Sequence, residues 1–260
     1  MSARSLSTVG VASLKQTVVP KRLVCRVLHR LRRCFDARGV LDMLEHATGG
    51  EFYIFGGTVR RVLFGDTRSG DLDLMVPNGG SRAFEALNAL QVPVELNRSG
   101  HHRYHWNALQ IDVFQPREFY RGFQDVDAAL RFFDLRINAL AVHPRTGLIL
   151  DPFDVLLQST VSDPGINWCR WDEMHLLDLT VLAIRLLKIM YETPTLTISR
   201  ADSLRLEEDV LPRIRRVEWD QVRQRFPLGK EVFFEMFEIN VLRRARNLLP
   251  RAPSKVAQTR

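Results

Sequence analysis

A glycine pair, an arginine and two carboxylates in fixed order constrain this chain more than any other feature. Phe55-Gly56-Gly57-Thr58-Val59-Arg60 is followed, one short loop on, by Gly70-Asp71-Leu72-Asp73-Leu74. With Asp71 to Leu74 as a β-strand, the two-residue period puts Asp71 and Asp73 on one face and Leu72 and Leu74 on the other. Carboxylates so placed repel each other unless a cation lies between them, and Mg²⁺ is the usual one. Gly56 and Gly57 let the backbone approach phosphate oxygens, and Arg60 offers a forked donor for them. Together these residues describe a site for a nucleoside triphosphate and two Mg²⁺ ions.

The surrounding pattern builds a scaffold for that site. Phe52 to Phe55 reads as a short strand feeding the glycines, Thr58 to Phe64 as a helix ended by Gly65, and Asp71 to Val76 as a strand stopped at Pro77-Asn78-Gly79-Gly80. Ser81 to Leu90 has helical spacing. Val92 to Leu96 and Tyr104 to Phe114 read as further strands, with a hairpin between His101 and Ala108. On the last of these, Gln110, Asp112 and Phe114 share a face, so Asp112 is the candidate third carboxylate. His101, His102 and His105 are poorly spaced for zinc, and a plain exposed hairpin is the expectation there. Upstream, Lys21 to Ala47 is expected to be helical, with Gly39 as a break and Gly49-Gly50 as the stop. From Trp171 onward the pattern is helical, Trp168 and Trp171 packing at the junction, and Lys230 to Leu249 forms the last helix. The expectation is an α+β fold: a mixed-sheet head over residues 21–160, a helical neck and extension over 165–250, and disordered basic tails at 1–20 and 251–260.

The balance of 37 Lys and Arg against 30 Asp and Glu gives a net charge of +7, which favours a polyanionic partner. The basic residues gather at Lys21, Arg22, Arg26, Arg30, Arg32 and Arg33, and again from Arg243 to Arg260. An acid-free N-terminus also suits an organelle transit peptide, but Leu23, Val24, Val27, Leu28 and Leu31 lie at helical spacing and favour a packed helix. A cytoplasmic location is therefore expected. Cys25, Cys34 and Cys169 are too few and too scattered for a disulfide framework, and read as reduced, buried thiols. No apolar run reaches the length of a membrane span.

At this point the motifs resemble, in order, those of the polymerase-β-like nucleotidyltransferases that include CCA-adding tRNA nucleotidyltransferases and bacterial poly(A) polymerases. The shared blocks are Gly56-Gly57-Thr58-Val59-Arg60, Leu63-Phe64-Gly65, Asp71-Leu72-Asp73, Asp134 to Leu140, Pro144 to Gly147, Asp151-Pro152-Phe153 and Ala183-Ile184-Arg185. The resemblance implies a template-independent enzyme adding a nucleoside monophosphate from an NTP to an RNA 3′ end, tRNA among the candidates. It implies Asp71, Asp73 and Asp112 as metal-binding and catalytic residues. Gly56, Gly57, Arg60, Asp134, Asn138 and Arg185 would contact the nucleotide, Asp134 and Asn138 at the sugar.

Departures from the pattern bear on substrate choice. Arg61 replaces the usual acid after Val-Arg, and Phe132 and Phe133 replace a pair of arginines. The neck helix opens His175-Leu176-Leu177-Asp178 where the family presents charged base-reading side chains, and only Arg185 keeps its charge. Leucines cannot make those hydrogen bonds. Only about 45 residues follow the neck, so a shorter RNA, or a protein or small-molecule hydroxyl, is an alternative acceptor. A catalytically inactive RNA-binding relative is the alternative from another class. The base added and the oligomeric state are not legible.

Overall fold

Alternation and amphipathic spacing become a sheet with helices in the computed structural model. It describes residues 38–63, 71–77, 81–97, 100–107, 109–118, 122–123, 125–157, 163–193 and 195–214, with Cys25 and His29. Helix α1 (Arg38–Thr48) buries Val40, Leu41 and Leu44, with Gly39 in its first turn. Its end is fixed by the Thr48 hydroxyl, which donates to the Leu44 carbonyl at 2.6 Å and accepts from the Gly50 amide at 3.1 Å. Gly50, at φ +83°, has no room for a side chain, since a Cβ there would lie 2.7 Å from Cβ of Arg145.

The chain then runs β1 (Tyr53–Phe55), α2 (Gly57–Leu63), β2 (Asp71–Met75), α3 (Ser81–Ala89), β3 (Val94–Leu96), β4 (His102–Trp106) and β5 (Leu109–Phe114). Helix α4 (Val126–Arg131) and a 3₁₀ turn (Arg136–Asn138) lead to β6 (Ala141–Val142) and β7 (Ile149–Leu150). The seven strands form one mixed sheet in the order β3-β4-β5-β2-β1-β6-β7, with β2 and β5 parallel and the other neighbours antiparallel. The Tyr104 to Phe114 segment is two strands rather than one, because Asn107 adopts φ +52° and turns the chain. Between Leu135 and His143, Arg136–Asn138 form the 3₁₀ turn and Ala141 and Val142 join the sheet.

One face of the sheet buries Leu72, Leu74, Tyr104, Ile111 and Val113 in a core shared with α1 and α3. On the opposite face α4 packs Val126, Ala129 and Leu130 against Phe55, Met75 and Ala141. Among the described residues the Asp71 end of β2 is exposed.

The helical part follows as α5 (Trp168–Asp172), α6 (Leu176–Glu192), α7 (Arg200–Arg205), a π-helical turn (Leu206–Val210) and α8 (Leu211–Ile214). No helix among the described residues is long and apolar enough to cross a membrane. The helices share a core with the head through Leu135 and Ile137. The junction is clamped as well, since the Arg136, Ile137 and Asn167 amides donate to the Gly165, Pro164 and Asp134 carbonyls at 2.7, 3.1 and 3.0 Å. Trp168 and Trp171 pack there edge to face, with ring centroids 5.4 Å apart. Cys25 and Cys169 are exposed rather than buried, since Cys169 sits on the outer side of α5. Both tails, the Lys230–Leu249 segment and Phe64-Gly65 lie outside the described residues.

Candidate active site

The parallel pairing of β2 with β5 assembles the carboxylates. Asp73 stands opposite Asp112, and Asp71 opposite Gln110, so Asp71, Asp73 and Asp112 share one face of the sheet. Asp71 is exposed and Asp73 is half-buried next to the covered end. Burial, followed by the charges of Asp112 and Asp71, pushes the Asp73 carboxyl up to about 7, against lowering by Arg185 and Arg61. Here the chain has concentrated more negative charge than its own cations offset.

The glycine turn borders this charge. Gly56, at φ +71°, would place a Cβ 3.3 Å from Oδ2 of Asp73, so a side chain there would crowd the carboxylate. The Thr58 hydroxyl donates to the Asp71 carbonyl at 2.9 Å, tying the start of α2 to β2. Arg60 is buried and donates through Nη1 to Oδ1 of Asn138. That bond fixes the amide orientation. It leaves Nδ2 of Asn138, which is fully buried, with no partner.

Arg185 reaches across to the head and pairs with Asp134, at 3.1 Å. Asp134 is otherwise held by its neighbours: its Oδ1 accepts from the Leu135 amide at 2.9 Å, and its carbonyl accepts from Nε1 of Trp171 at 3.1 Å. Arg185 thus connects the neck to the head within reach of the Asp73 charge. One to two turns earlier on α6, Asp178, Val181 and Leu182 line a cavity of about 270 Å³ with Arg170, Glu173, Met174 and His175. The guanidinium of Arg170 lies over the Phe132 ring at 4.2 Å.

Sequence reasoning missed Arg103. It stands opposite Asp112 on β4 and holds both carboxylate oxygens, Nε to Oδ1 and Nη2 to Oδ2, each at 2.7 Å. Nδ2 of Asn97 adds a contact to Oδ2 at 3.4 Å. The reversal after Trp106, where Asn107 takes φ +52°, sets this register, and placing the hairpin there would have revealed it. The neighbouring histidines are packed on rings, His101 on Phe114 at 4.5 Å and His102 on Phe84 at 5.3 Å. The third, His105, is 3.2 Å from Glu95. Among the described residues no group of three Asp, Glu, His or Cys side chains is arranged to hold a metal ion. The donor set itself, carboxylate oxygens of Asp71 and Asp73 on one face of β2, is of the hard oxygen type that suits a divalent cation.

No protein-family model matches the chain, and no curated protein matches its sequence. Solved structures do match in fold. A CCA-adding enzyme in complex with ATP superimposes with a TM-score of 0.56 at 16% identity, over 88% of this chain and 58% of that one. A tRNA-processing enzyme in an apo form gives 0.56 at 19%, over 89% and 59%. The Thermotoga maritima CCA-adding enzyme complexed with tRNA gives 0.51 at 18%, over 74% and 48%. The chain thus has the fold of the CCA-adding enzymes and spans about half to three-fifths of the length of these structures.

Proposed function

We propose that this chain is a template-independent nucleotidyltransferase that adds a nucleoside monophosphate from an NTP to an RNA 3′ end, in RNA or tRNA processing. The observation that carries the reading is the set Asp71, Asp73 and Asp112 on the open face of a β2–β5 parallel pair, bordered by Gly56. Asp71 and Asp73, joined by Asp112, would hold two Mg²⁺ ions. Such ions lower the pKa of the attacking hydroxyl and neutralise the triphosphate and the departing pyrophosphate.

The chain's own residues do the positioning. Gly56 and Gly57 keep the phosphate approach free of side chains. Buried Arg60 acts through Asn138, whose unpartnered Nδ2 offers a donor to the nucleotide. Arg185 and Asp134 flank the sugar end as a bridged pair. The cavity at the start of α6, lined by Asp178, Val181 and Leu182 within two turns of Arg185, takes the base. In the reaction the 3′ oxygen bonds to the α-phosphorus, the bond to the β-phosphate oxygen breaks, and pyrophosphate leaves.

The test is incubation with Mg²⁺, each labelled NTP in turn and total RNA, beside an Asp71→Ala/Asp73→Ala protein. RNA label that vanishes in the double variant is expected. Label on protein or a small hydroxyl compound transfers the reading to that acceptor. Absence of transfer with every NTP, despite salt-sensitive RNA binding, leaves an inactive RNA-binding relative.

A further inference from the structure

Four charged residues stand in register across four adjacent strands. Glu95 on β3 is opposite Arg103 on β4, Arg103 is opposite Asp112 on β5, and Asp112 is opposite Asp73 on β2. Residues directly opposite one another in a sheet point to the same face, with their Cβ atoms about 5 Å apart. The row therefore reads minus, plus, minus, minus from the edge of the sheet inward. Arg103 sits between two carboxylates and is bound to the inner one. It senses both: the hydrogen bond it donates to Asp112, and the charges of Asp112, Asp71 and Glu95, raise its proton affinity.

We propose that Arg103 is a resident counter-charge that caps Asp112 in the metal-free protein and moves one strand outward to Glu95 when Asp112 takes up a divalent cation. The fork on Asp112 and a divalent ion compete for the same two oxygens. An arriving ion also repels the guanidinium. The outer carboxylate of Glu95 is the receiving position: it is opposite Arg103 in register and 56% exposed, with His105 at 3.2 Å. Arg103 itself is 29% exposed, so its head can swing without opening the core. The exchange gives Arg103 a carboxylate partner in both states, and makes it a positioning residue for Asp112.

This rests on reading Asp71, Asp73 and Asp112 as a cation site, and the experiment separates the two. Mn²⁺ binding to the full chain, without nucleotide, is measured by electron paramagnetic resonance for the parent, Arg103→Met, Glu95→Gln and the double variant. Arg103→Met is expected to tighten Mn²⁺ binding about tenfold by removing the competitor. Glu95→Gln is expected to weaken it about threefold, and to have no effect once Arg103 is gone. A Glu95→Gln loss that persists in the Arg103→Met background would mean simple long-range charge, and overturns the exchange. So does Mn²⁺ binding that Arg103→Met leaves unchanged. A parent that binds no Mn²⁺ overturns the site reading and this inference with it. If Arg103→Met does not fold, the Nε–H resonance of Arg103 in the parent gives the answer. It is expected to shift when Mg²⁺ is added, and an unmoved signal overturns the proposal.

Discussion

The carboxylate face of the head and helix α6 of the neck use their residues in opposite ways. On β2 and β5 alternate positions are given to Asp71, Asp73 and Asp112, and half of each strand works for the core while half faces the open side. On α6 the residues Leu179, Leu182, Ala183, Ile184, Leu186, Leu187, Ile189 and Met190 are all buried, leaving Arg185 as the charged group that reaches the head. A face that holds concentrated carboxylates works against stability, and the buried apolar side of α6 supports it.

The comparison breaks most visibly if either region can do the other's job. Asp71→Ala/Asp73→Ala should reduce transfer by on the order of 10³-fold or more, the loss of several kcal/mol of charge stabilisation, while the far-UV circular dichroism and Tm are kept. A comparable loss of Tm would place these residues in the scaffold. Leu186→Ala should do the reverse. Removing a fully buried leucine from a packed core costs about 2–5 kcal/mol, a fall in Tm on the order of 10 °C, with transfer per folded molecule little changed at low temperature. Loss of transfer in the folded fraction would show that the neck does more than brace the head.

The charged face can also be read through pH. The ordinary carboxyl value for Asp73 is 3.8, and burial with its acidic neighbours raises the folded value to about 7. The folded state therefore binds this proton more tightly than the unfolded one. Its contribution to stability is fully present below about 3.8 and is lost as the pH rises through about 7. In chelator-treated protein, Tm should fall from pH 5 to pH 8, and Asp73→Asn should flatten that fall by on the order of several degrees. Parallel Tm curves for the two proteins would remove Asp73 as the source.

What the sequence disclosed follows the same division. Period-two alternation and the glycine pair made Asp71, Asp73, Asp112 and Gly56 legible, because a strand's face is set by its own residues. Arg103 was not legible, since its meeting with Asp112 depends on where one turn falls, and Asn107-Ala108 lacks the Asn-Gly pattern that marks such turns. The pairing of Arg185 with Asp134, 51 residues apart, depends on how the neck packs, which the helix's own spacing does not set. The exposure of Cys169 was hidden for a related reason: composition says how often a thiol is buried, while the side of α5 facing the core decides whether this one is.

The smallest expected effect lies where the two regions touch. The side chain of Arg185 is 43% exposed, so its ion pair with Asp134 is screened by water, and Arg185→Met should cost about 1 kcal/mol or less of stability. Its influence on the chemistry is separable from that. Arg185 lowers the proton affinity of Asp73, so removing it should let Asp73 keep its proton to higher pH. The acid limb of the transfer rate should then move toward higher pH, with the plateau reduced only as far as sugar placement depends on the Arg185–Asp134 bridge. Arg185→Lys keeps the charge and should hold the limb where it is while loosening the bridge. If Met and Lys variants shift the limb equally, Arg185 acts through geometry alone, and the neck's remaining charge is part of the scaffold after all.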